Sequence, residues 1–133
     1  MYLLDSNVCI HLLNERSPEI EQNFRSHSPA DIFLCSIVKA ELYYGARHSH
    51  RVSENLQRLK LFFAPLGSLL FDDRCAEEYG LVRASLAEQG KIIGPNDMLI
   101  AAIARANDAT LITHNTREFS RIPSLKFEDW EEY

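Results

Sequence analysis

The sequence predicts an α/β fold: a three-layer α/β/α sandwich around a short, mainly parallel sheet of four or five strands. Three observations carry this. Short apolar runs alternate with amphipathic stretches along the whole chain. The stretches between the runs are long enough for the helical crossovers that parallel strands require. The 133 residues make one domain, 1–133, and a chain of that size buries roughly two thirds of its unfolded surface, enough for a real core.

Each element has a local reason. Residues 2–4 are a brief apolar strand. Asp5, Ser6 and Asn7 all cap well, and a helix follows over 8–13. Ser17 and Pro18 open a second helix as N-cap and first-turn residue. Residues 32–35 are a strand, and Ser36 is expected to cap a helix reaching about Arg47. A helix over 53–63 ends near Pro65, and 68–71 is a strand. Asp72 and Asp73 start a long helix that Gly90 stops. Gly94 and Pro95 begin a helix through about Asn107. The β-branched run 110–113 is a strand, a short helix covers 116–120, and 125–128 is a last edge strand. Open α/β sheets bind ligands at the carboxyl ends of their strands. The places to look are therefore just after Leu4, Cys35 and Thr113.

Composition excludes several classes. Apolar residues are 46% and charged residues 25%, which rules out a disordered or collagen-like chain. No apolar run approaches the ~20 residues of a membrane span. Nothing at Met1–Asp5 resembles a signal peptide, so a cytoplasmic protein without a membrane partner is expected. Cys9, Cys35 and Cys75 are odd in number, widely spaced and without a C-x-x-C, which favours reduced thiols over disulfides or a zinc site. A net charge of −5 argues against a general nucleic-acid coat protein. It agrees with carboxylates gathered to hold a hard divalent cation.

Four places concentrate acidic chemistry. Asp5 follows the first strand directly, where it serves as a helix cap or as a ligand at the rim. Glu41, on a helical wheel, falls at the centre of an apolar arc of Ile37, Val38, Ala40, Leu42, Tyr44 and Gly45. A charge there needs a buried Arg partner or a cation. Asp97 lies in the first turn of a helix that is apolar nearly all round, so that turn points into a cleft. Asn115 and Glu118 follow the 110–113 strand, either as a capping box or as site residues. Converging at one rim, these acids would repel one another and raise a pKa unless a cation entered. Mg²⁺ or Mn²⁺ suits such an all-oxygen set. The matching chemistry is phosphodiester hydrolysis.

Four motifs together resemble the PIN-domain ribonucleases, and among them the VapC toxins of type II toxin–antitoxin systems. They are Leu4-Asp5-Ser6-Asn7, the run Ser36 to Gly45 around Ala40-Glu41-Leu42, Gly94-Pro95-Asn96-Asp97-Met98, and Thr113-His114-Asn115-Thr116-Arg117-Glu118-Phe119. The resemblance covers nearly the whole chain. It implies a Mg²⁺- or Mn²⁺-dependent endoribonuclease, a homodimer, neutralised by a VapB-type antitoxin. It places Asp5, Glu41 and Asp97 as the three central acids and metal ligands. The fourth acid of the pattern falls at Asn115, an amide, with Glu118 supplying a carboxylate one turn later. Ser6 matches a small hydroxyl residue that orients a carboxylate or a water. Members most similar to this chain cut tRNA in the anticodon loop, notably initiator tRNA.

The remaining features are weaker. His48 and His50 diverge on a helix and do not make a metal pair. With Arg47 and Arg51 they form a candidate phosphate-contact loop. Tyr43, Tyr44, Phe62 and Phe63 suit core or dimer packing better than base stacking. The alternative reading is a non-catalytic PIN-like RNA-binding or scaffold module, which would show gaps in the acid set. An Asp-nucleophile phosphatase needs an acid where Asn7 stands, and a receiver domain needs an early acid pair and a late Lys. Neither pattern is present.

Overall fold

The structure is a computed structural model that describes residues 1–131. Its strands are β1 (Tyr2–Leu4), β2 (Ile32–Cys35), β3 (Gly67–Leu69), β4 (Thr110–Ile112) and β5 (Phe127–Glu128). They form one sheet in the order β3-β2-β1-β4-β5, and every pairing is parallel. The chain therefore starts at the centre, builds outward to β3, and returns to build β4 and β5 on the other side. The switch point lies between β1 and β4, where a crevice opens at the strands' carboxyl ends.

The helices are α1 (Ser6–Leu13), α2 (Pro18–Arg25), α3 (Ser36–Arg47), α4 (Val52–Phe63), α5 (Asp73–Glu88), α6 (Pro95–Ala106) and α7 (Thr116–Phe119). A 3₁₀ turn over Pro29–Asp31 was not anticipated from the sequence. The side chain of Ser17 caps α2 through the Ile20 N–H, and Asp72 caps α5 through the Cys75 N–H. Gly90 takes φ +66° just past α5, a conformation glycine adopts without strain. The expected Ser36 cap is not made. Cys35 occupies the N-cap, and the Ser36 hydroxyl donates to the Leu69 carbonyl across to β3. The strand end claims that hydroxyl before the helix does.

The core joins both helical layers to the sheet. Leu3, Leu34, Leu111 and Ile112 are fully buried, as are Ile103 of α6 and Phe119 of α7. As expected, α6 is buried on most sides, from Met98 to Ala104 except for half-buried Leu99. Cys9, Cys35 and Cys75 are buried and unpaired. Among the described residues, no helix is long and apolar enough to cross a membrane.

Candidate active site

Asp5 stands where β1 becomes α1. Its backbone N–H extends the β1–β4 ladder to the Ile112 carbonyl at 3.1 Å. Its side chain caps α1, accepting from the Val8 N–H at 2.9 Å. Only 7% of the residue is exposed. Burial pushes its pKa up and the charge of Glu41 adds to this, while hydrogen bonds from the Thr113 hydroxyl and Val8 N–H oppose it. One carboxylate thus caps α1 and still feels the charge of Glu41.

Glu41 comes from α3 and is held by Ser6, whose hydroxyl donates to Oε1 at 2.8 Å. The helical wheel is corrected here. The buried stripe of α3 is Val38, Leu42 and Ala46, and Glu41 is half-buried at its margin, not at its centre. Ala40, Tyr44 and Gly45 are exposed. The reason is that this flank of α3 faces the crevice beside α1 instead of another layer. The partner seen for Glu41 is a hydroxyl, not the buried Arg that one reading required.

Asp97 sits in the first turn of α6, half-buried. Its pKa is pushed up to about 6, first by burial and then by the charges of Asp5, Glu41 and Glu118. The helix terminus would favour the ionised form, yet the neighbouring carboxylates outweigh it. Asp5, Glu41 and Glu118 therefore all lie near enough to act on Asp97.

Asn115 occupies the N-cap of α7 but makes no side-chain cap bond. Its Nδ2 instead donates to Glu118 Oε2 at 2.8 Å. The capping box is not formed, because Glu118 is turned to the Asn115 amide and its charge reaches Asp97. Sequence reasoning missed Thr113. It is fully buried, it bonds the Asp5 carboxylate, and its Oγ1 accepts from the Asn115 N–H at 3.0 Å. Nothing in the sequence separates it from a β-branched strand residue.

Two hollows flank Glu41. One, of about 460 Å³, is bordered by Asn7, Asn96 and Tyr44 together with Ser6 and Glu41. The other, of about 170 Å³, lies between α1, α3 and α4, with Ile10, Leu13, Leu42 and Leu59 against Glu41 and Arg58. The basic loop is tied to its own helices. His48 ends α3 and stacks on Tyr44, while Arg51 pairs with Glu54 at 3.4 Å.

An all-carboxylate rim with hydroxyl and amide supports has the donor chemistry for a hard divalent ion. Burial raises both Asp97 and Asp5, and neighbouring carboxylates add to it, Asp5, Glu41 and Glu118 at Asp97 and Glu41 at Asp5. Asp5, Glu41 and Asp97 are the residues that could hold such an ion.

The family model described as PIN domain matches residues 2–125. The chain belongs to the PIN-domain family. Within it, the chain belongs with the VapC ribonucleases. It is 39% identical over 132 residues to Ribonuclease VapC2 of Rickettsia felis, covering 98% of each chain. It is 34% identical over 129 residues to the tRNA(fMet)-specific endonuclease VapC of Shigella flexneri, covering 97% of each. The VapBC2 structure from Rickettsia felis, bound to a promoter DNA fragment, superposes with a TM-score of 0.91 at 38% identity. That match covers 97% of this chain and 98% of the other. A PIN domain accounts for the all-parallel sheet.

Proposed function

We propose that this protein is a Mg²⁺- or Mn²⁺-dependent endoribonuclease, the toxin of a VapBC-type pair, which cuts tRNA and thereby stops translation. The observation that carries the reading is Asp97, raised to about 6 by burial and three neighbouring carboxylates. A divalent cation at such a rim activates water and neutralises charge on the phosphate during hydrolysis. The chain's own residues hold that chemistry in place. Ser6 orients Glu41, Thr113 orients Asp5, and the Asn115 amide keeps Glu118 turned to the rim. Asp97 gives up its proton once positive charge balances its neighbours. Because the described acid set retains a carboxylate at Glu118, the catalytic reading outranks the non-catalytic scaffold.

Initiator tRNA, cut in its anticodon loop, is the favoured substrate. Relatives at 34% and 35% identity, from Shigella flexneri and Salmonella typhimurium, carry the name tRNA(fMet)-specific endonuclease. A VapB-type antitoxin restrains the enzyme, as the neighbouring structures are VapBC complexes. The α1–α3–α4 hollow supports this, since its apolar floor ends at Glu41. An antitoxin tail with an apolar anchor and then Arg or Lys would meet the carboxylate by a charge-assisted bond. The working form is a homodimer in the cytoplasm.

The test is cleavage of initiator tRNA by the full chain. Activity disappears in EDTA, returns with Mg²⁺ or Mn²⁺, and falls by orders of magnitude in Glu41→Gln. Undiminished cutting in EDTA would refute the metal-dependent reading.

A further inference from the structure

Beside the acidic rim lies a second cluster that none of the chemistry above uses. His114 follows β4, and Asp129 and Glu131 follow β5. His114 Nδ1 lies 2.8 Å from Asp129 Oδ2 and 2.8 Å from Glu131 Oε2. Behind them, His11 in the last turn of α1 brings Nδ1 to 3.2 Å from Glu131 Oε1. That His11 nitrogen is buried and makes no hydrogen bond. The Asp129 side chain is 5% exposed. Among the described residues, only His114, Asp129 and Glu131 bring three ligand atoms of His, Cys, Asp or Glu within 4.8 Å of one another.

We propose that His114, Asp129 and Glu131, backed by His11, form a second metal site, separate from the acidic rim, for an imidazole-preferring ion such as Zn²⁺. Three arguments support it. Two carboxylates converge on the His114 ring nitrogen, and the Asp129 side chain, also held by the Glu131 N–H at 2.9 Å, is almost wholly withdrawn from water, where added positive charge is favoured. A first-row ion with bonds of about 2.0–2.2 Å sets its ligand atoms roughly 2.9–3.4 Å apart, close to the two 2.8 Å spacings at His114, and all three ligand atoms lie within 4.8 Å of one another. The mixed nitrogen and oxygen donors select Zn²⁺-like ions over Mg²⁺, whose preference is for oxygen. The ion would tie the segment after β5 to the β4–α7 loop and to α1, the two pieces of chain that carry Thr113 and Asp5.

The experiment uses the full chain stripped of metal and titrated with Zn²⁺, with the histidine ring nitrogens followed by long-range ¹H–¹⁵N NMR. The expected result is a shift of the His114 and His11 rings while His27, His48 and His50 stay put. By calorimetry the parent takes up one equivalent more Zn²⁺ than His114→Gln or Asp129→Asn. Unmoved His114 and His11 rings, or parent stoichiometry in both variants, would reduce the cluster to an ion-pair clip and overturn the site. If a variant fails to fold, the ring shifts of the parent decide alone. RNA cleavage is not the readout, so loss of this site and loss of the nuclease reading are told apart.

Discussion

Asp97 is the residue whose environment departs furthest from that of a free carboxylate. Its folded pKa of about 6 exceeds the ordinary value of 3.8. The folded state therefore binds more protons than the unfolded one between those values. The stabilising contribution is complete below about 3.8 and is lost as pH rises through about 6. Metal-free Asp97→Asn should thus melt a few degrees higher than the parent at pH 7, and the gap should close near pH 4. Thermal melts at the two pH values check this, and cleavage by the same variant should be abolished. Glu118 makes a different demand. Its hydrogen bond to Asn115 survives as a neutral pair in Glu118→Gln, so the melt should barely change. Cleavage over a Mg²⁺ titration should still fall by roughly 10²-fold, the scale of a positioned acid–base group. Full activity at every concentration would leave Glu118 a purely structural role.

Among the elements, β3 is the one most constrained by its neighbour. Gly67 pairs with Phe33 of β2, and a Cβ there would lie 2.4 Å from two ring carbons. Gly67→Ala must displace that ring at the sheet edge, an overpacking cost of about 1–3 kcal/mol. The denaturant midpoint should drop accordingly. Ser17→Ala removes the α2 cap and should cost about 1 kcal/mol by the same measurement. Caps of this kind were legible in the sequence because their chemistry is local: Asp5, Ser17, Asp72 and Gly90 all stand where their side chains or φ angles imply. Strand limits were less legible. The edge strand β3 begins at Gly67 and stops at Leu69, whereas apolar character continues to Phe71. Pairing with β2, not apolar content, decides where it ends. The same holds for Glu41. A wheel records which residues are apolar, but only the packing of α1 beside α3 reveals which flank stays open.

Taken as a whole, the molecule gathers acids from four elements separated by long stretches of chain, and the charges of the other three add to the burial that pushes Asp97 up. An ion that binds only the folded form stabilises it by ~2.7 kcal/mol at a hundredfold excess over Kd. Mg²⁺ or Mn²⁺ should therefore raise the melting temperature of the parent and raise it much less in Glu41→Gln. The ion must displace the proton of Asp97, so this stabilisation should fade as pH drops below about 6. The sheet order, which no local signal predicted, has its own consequence for biosynthesis. The first strand made is the central one, and its partner β4 contains residues 110–112. Contacts this far apart in sequence form late and slowly. While the ribosome is still translating, Asp5 has neither the Thr113 hydroxyl nor the α7 carboxylate beside it. A nascent chain therefore carries an incomplete acidic rim until residues 113 to 118 have left the ribosome.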